Sequence, residues 1–94
     1  MRRVLKYPIN LPEGTRIFVP FHAPLRLVSI QMGTPTVWYE VEEGAPLVQR
    51  TIGFVGTGHE IPWGPADADH IGSAFDPQTG LVWHLYELKA PSSG

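Results

Sequence analysis

Apolar residues recur at every second position in several short runs of this chain. In Thr36–Glu43, Val37, Tyr39 and Val41 share one side, while Thr36, Trp38, Glu40 and Glu42 share the other. A period of two marks a strand with one buried face. Val37, Tyr39 and Val41 are therefore expected in the core, with Trp38 on a polar face. In Val48–Gly56, Val48, Ile52 and Phe54 point inward with Arg50 among them. Leu81–Lys89 has no polar face: Leu81, Trp83 and Leu85 alternate with Val82, His84, Tyr86 and Leu88. Such a strand is expected to be central and covered on both sides.

Extended along the chain, this pattern predicts strands near 3–9, 16–20, 25–32, 36–43, 48–56, 70–75 and 81–89. Ten glycines and ten prolines are spread so evenly that a long helix has nowhere to form. Between the runs lie turn-forming segments. QMGTPT, with Gly33 and Pro35, predicts one hairpin. FDPQTG, with Pro77 early and Gly80 last, predicts a second, built on a type I turn followed by a left-handed glycine. The fold class that follows is all-β, a small single-domain antiparallel sandwich or barrel of about seven short strands.

A length of 94 residues fits one domain, 1–90, with 91–94 as a flexible tail. Charged residues make up 17% of the chain, below the usual quarter. Two readings fit this: a surface covered by a partner or by another copy of the chain, and a lightly charged monomer; a homo-oligomer is the expectation taken forward. The basic residues Arg2, Arg3, Lys6, Arg16, Arg26, Arg50 and Lys89 are scattered, which argues against duplex nucleic acid as a partner. With no cysteine, thiolate chemistry and disulfides are excluded. No apolar run reaches the length of a signal peptide or a membrane span, so a cytoplasmic location is expected.

The segment Phe54–Gly72, FVGTGHEIPWGPADADHIG, concentrates the candidate chemistry. VGTGHE lacks the third glycine of a dinucleotide fingerprint and the lysine of a P-loop, and Pro62 forbids the helix both require. A nest of main-chain amides at Gly56, Thr57, Gly58 and His59 is the remaining way to hold an anion, against the plainer reading of a tight turn. Among His59, Glu60, Asp67, Asp69 and His70, the two aspartates have the spacing that opens a calcium loop, but the third acid, central glycine and closing glutamate are missing, the histidines form no His-x-x-x-His pair, and no metal or other cofactor is expected. Ser73 lies near His70, but strand alternation places the two on opposite faces, so no catalytic residue is assigned. Acid–base chemistry by His84 with Glu60 has no motif behind it. Trp63, in a Gly/Pro loop, and Trp83, beside His84, are candidate stacking surfaces; the alternatives are a lid on the core and a satisfied core or interface histidine.

The set HAPLRLVSIQ, VWYEVE, RTIGFVGTGHEIP, HIGSAF and GLVWHLYEL resembles a family of small uncharacterised proteins of tailed phages and prophages, about ninety residues long, over roughly residues 20–90. The resemblance implies an origin in an infected bacterial host and action by binding. The leading expectation is a non-enzymatic binding protein that sequesters a small anionic or nucleotide-type signalling molecule, as a counter-defence. Its ligand site would be Arg50, Gly56, Thr57, Gly58, His59, Trp63, Trp83 and His84. An inhibitor or accessory protein that binds a host or phage protein through Trp38 and Trp63 is the second expectation. A small hydrolytic enzyme using His59, Glu60 or His84 is the third.

Overall fold

The alternating runs do form strands. The computed structural model describes residues 1–89; positions 90–94, which include the expected tail, lie outside the described residues. Seven strands follow in order: β1 (Arg2–Pro8), β2 (Thr15–Pro20), β3 (Leu25–Gln31), β4 (Thr34–Glu42), β5 (Leu47–Gly56), β6 (Ala68–Phe75) and β7 (Val82–Leu88). They build two antiparallel sheets, a small one in the order β1-β4-β3 and a larger one in the order β2-β5-β7-β6. The architecture is an all-β sandwich. No helix of the described residues is long and apolar enough to cross a membrane.

The inward-facing positions meet as expected. Val37, Tyr39, Ile52 and Leu85 are fully buried, joined by Ile9, Ile17, Val19 and Val41. Phe54 and Trp83 pack on the edge of this core. β7 lies between β5 and β6, the central place that its two apolar faces predicted. The Tyr39 ring takes the edge of Tyr7 at 6.0 Å and the Arg50 guanidinium at 5.2 Å from its centroid. Burial raises the Tyr39 phenol above its ordinary pKa of 10.0, and burial likewise raises that of Tyr7.

Both predicted hairpins form, each by its own turn chemistry. β3 and β4 are joined by Met32 and Gly33 alone, with φ of 51° and 79°. Two successive positive φ values make a type I′ turn, whose twist matches that of paired strands. Pro35 is not part of that turn; it lies within β4, opposite Ile30. In the β6–β7 hairpin, the buried Asp76 organises the loop. Its carboxylate accepts the Gln78 amide at 3.0 Å, and its carbonyl accepts the amide of Gly80 at 2.8 Å. Gly80 has φ of 75°, the left-handed glycine that the sequence predicted.

The two sheets are not in equal contact along their edges. On the β3/β6 side they nearly touch: a Cβ added at Gly72 would lie 2.8 Å from Val28 Cγ2. On the β1/β2 side they diverge, leaving an apolar groove of about 540 Å³ lined by Leu5, Tyr7, Phe18, Pro20 and Leu47. Gly72→Ala should therefore overpack the closed seam. The expected loss is about 1–3 kcal/mol, read as a Tm fall of about 4–8 °C per kcal/mol in a domain of this size. An unchanged Tm would mean that the seam yields without strain.

Candidate functional site

β5 ends at Gly56, and the chain turns at once. The Thr57 amide donates to the Val82 carbonyl at 3.1 Å, and the His59 amide to the Gly56 carbonyl at 3.0 Å. Gly58, with φ of 89°, supplies the left-handed residue the turn requires. Two amides of the expected anion nest are thus already engaged, one to β7 and one within the turn. The loop then folds back across the outer face of the larger sheet. The Trp63 ring settles over Gly53: a Cβ there would lie 2.6 Å from two of its ring atoms. Its centroid is 5.7 Å from that of Tyr86. Trp63 is half-buried, a lid on the outer face of β5 and β7. The loop rejoins the sheet where the Lys89 amide donates to the Asp67 carbonyl at 2.9 Å.

On that same outer face a polar row has formed that strand alternation did not predict. A β-bulge interrupts β6: His70 pairs with Tyr86, but Gly72, not Ile71, pairs with Leu85. The extra residue shifts the alternation by one position. His70 and Ser73, expected on opposite faces, therefore share a face, with His70 Nε2 3.0 Å from Ser73 Oγ. This corrects the sequence reading, and the bulge is its physical reason. Ser73 Oγ also lies 2.7 Å from His84 Nδ1, and His84 Nε2 lies 2.7 Å from Thr57 Oγ1. The rings continue the row, with His70 5.3 Å from Tyr86 and 6.2 Å from His84. His70, Ser73 and Tyr86 are thus functional candidates that period-two reasoning missed. A glycine one place after an isoleucine in HIGS, before the apolar Ala74, is the one local hint of a bulge.

The remaining loop residues face the other way, into a cleft at the end of the sandwich. The rings of His59 and Trp83 come within 3.0 and 3.3 Å of the point a Gly56 Cβ would occupy. Trp83 packs edge-on against Phe54, with centroids 5.3 Å apart. Together with Pro12, Glu13, Val55, Glu60 and Pro62, they line an open recess of about 380 Å³. This volume falls in the range of small-molecule sites. Tight packing on Gly56 accounts for a glycine at the last residue of β5.

Arg50 belongs to neither group. It donates to the Phe21 carbonyl, lies over Tyr39 and stands 3.9 Å from Glu87. It points inward from β5, six residues before Gly56, or about 20 Å at the rise of a strand. The expected pairing of Arg50 with the loop amides on one phosphate is not available in this fold. The eight residues proposed from sequence thus separate into an outer row (Thr57, Trp63, His84), a cleft (Gly56, His59, Trp83), the turn at Gly58 and the core-facing Arg50. Among the described residues no three of the histidines and acids gather to hold a metal ion.

One comparison with known proteins finds a match. The model of the family described as "Domain of unknown function (DUF7352)" covers residues 1–94. No curated protein and no solved structure matches the chain.

The contact of Trp63 with Gly53 yields a direct test. Gly53→Ala should expel the indole, lowering stability by about 1–3 kcal/mol and shifting tryptophan emission to the red. Trp63→Ala added to it should recover only part of that loss, because the Pro12 carbonyl also lies 2.6 Å from the new methyl position. Strict additivity of the two changes would show that the ring does not rest on Gly53.

Proposed function

We propose that this chain, which belongs to the family Domain of unknown function (DUF7352), binds a small flat-ringed molecule in the cleft between Trp83 and residues 56–62. The observation that carries this reading is the convergence of Trp83, Phe54 and His59 on one recess walled by Pro12 and Pro62. Aromatic and proline faces take a planar ring with little loss of side-chain entropy. Charge narrows the ligand. Glu13 and Glu60 line the cleft, and no lysine or arginine does. A neutral or cationic ring, such as a nucleobase or nucleoside, suits that lining; a polyphosphate held inside it does not. The resemblance to phage proteins gives such binding a use: withholding a nucleotide-type signal from a bacterial host's defence. The base would enter the cleft while the phosphates stay in solvent.

Thermal shift and tryptophan fluorescence with a nucleoside and its mono- and triphosphates test this directly. The nucleoside should raise Tm; occupancy at about a hundred times Kd corresponds to about 2.7 kcal/mol. Each added phosphate should leave the shift unchanged or reduce it. His59→Ala, at an exposed loop position, should abolish the shift without lowering the unliganded Tm. No shift from any flat-ringed compound at about 1 mM would remove the reading. A shift that grows with phosphate number would place the ligand elsewhere.

A second reading, a macromolecular partner, is favoured by the groove between β1 and β2. Trp38 is half-buried and Trp63 is engaged on Gly53, so they do not form the exposed patch expected of them. Leu5, Phe18 and Leu47, 43%, 55% and 61% exposed, provide one instead. β1 is an unpaired sheet edge beside them, and such edges associate unless blocked. A second copy of this chain is the occupant that would also account for the low charge content. Sedimentation should show a dimer that Leu5→Glu converts to monomer. A monomer at all accessible concentrations would exclude self-association.

A further inference from the structure

The cleft leaves the polar row on the outer sheet face unexplained, and that row is a continuous chain of hydrogen bonds from Thr57 to His70. Thr57 Oγ1 is within reach of two partners, His84 Nε2 at 2.7 Å and the Val82 carbonyl at 3.4 Å. The Thr57 hydroxyl can donate to the Val82 carbonyl, which only accepts, and its oxygen then accepts from His84 Nε2–H; with the opposite imidazole tautomer every bond of the row reverses and His70 becomes the base. A neutral imidazole with its proton on Nε2 has a bare Nδ1. That nitrogen lies 2.7 Å from Ser73 Oγ and accepts its proton. The lone pair left on Ser73 Oγ accepts from His70 Nε2–H at 3.0 Å. In the first of these arrangements each hydrogen is placed once, and the serine hydroxyl points at His84. Ser73 and His70 are both exposed, so the oxygen is open to a reactant.

We propose that Ser73 is a reactive serine, with His84 as its general base and Thr57 as the residue that positions the ring, and that this face accepts an acyl group from an activated ester. A serine and an imidazole within hydrogen-bond reach, with the far ring nitrogen fixed by a third group, is the geometry of an activated nucleophile. Here a threonine backed by a main-chain carbonyl stands where a carboxylate is more usual. In the step, Ser73 Oγ bonds to the carbonyl carbon as its proton passes to His84 Nδ1. The bond from that carbon to the leaving oxygen then breaks, and the leaving alcohol takes the proton from His84. Water attacks the acyl-serine by the reverse route: His84 accepts a proton from water, the carboxylic acid departs, and Ser73 regains its hydrogen. His70 Nε2–H donates to Ser73 Oγ and so holds the hydroxyl proton turned toward His84. The site does not involve the cleft, so it stands or falls separately from ligand binding there.

The whole chain, incubated with a fluorophosphonate probe and with p-nitrophenyl acetate, supplies the test, read by intact mass and peptide mapping. One adduct on Ser73 is expected, together with release of nitrophenolate. General-base assistance is worth about 100-fold or more, so His84→Gln should lower the labelling rate by about that factor. His84→Ala is the second variant, and both are compared at unchanged Tm. His70→Ala should retain the larger part of the rate, because in this arrangement His70 donates and does not accept. Absence of a Ser73 adduct, or equal labelling in wild type and in both His84 variants, would overturn the proposal. Loss of labelling in His70→Ala with retention in His84→Gln would also overturn it, since the base would then be the other imidazole.

Discussion

β7 carries large side chains on both of its faces, and both have to leave water. Leu85 and Trp83 point one way, Tyr86 and His84 the other. A single sheet covers only one side of a strand, so the molecule answers with two different covers. The inner side receives the three-stranded sheet, whose Tyr39 and Val37 share one buried core with Leu85. The outer side receives the loop after β5, whose Trp63 rests on Gly53 and against Tyr86. In a domain of this size the apolar area available is small, and a tryptophan folded back from a loop is an economical way to extend it. The loop's path, and with it the cleft and the outer row, follows from that requirement.

Glycine at three places sets how closely the parts approach. At Gly53 it admits the indole, at Gly72 it lets Val28 of the facing sheet come near, and at Gly56 it leaves room for His59 and Trp83. None of these three needs a positive φ; what matters is the missing Cβ. Gly58 and Gly80 serve the other purpose, left-handed turns. The two uses look identical in a sequence. A turn glycine is recognised by its neighbours along the chain, whereas a close-approach glycine is recognised only by what comes over it.

The bulge at Ile71 decides which chemistry the outer face can hold. Without it, His70 would turn toward the β3 side and Ser73 would meet only His84. With it, two imidazoles share one hydroxyl. The reason is packing: Ile71 joins the core and Gly72 faces Val28, so two consecutive residues point inward. Arg50 illustrates the same dominance of the core over surface expectation. An arginine between inward-facing Val48 and Ile52 stays at the sandwich interior's margin, satisfied by the Phe21 carbonyl, the Tyr39 ring and Glu87, and is not free to reach a ligand at the far end of β5.

The sequence by itself determined the seven strands, both hairpins, the inward faces of β4 and β5 and the central place of β7. These depend on period-two alternation and on turn residues, which are interactions between chain neighbours. It also marked Trp63, Trp83, His59 and His84 as candidate ligand residues, beside the plainer readings of a turn, a lid and a core histidine. Only the tertiary structure decided that they belong to two separate surfaces, that Arg50 joins neither, and that His70 and Ser73 stand together. Those outcomes depend on the register between β6 and β7 and on how the loop crosses Gly53. Register and loop path are set by side chains that meet only in the folded chain, Val28 over Gly72 and Trp63 over Gly53 and Tyr86, and period-two alternation carries no record of such meetings.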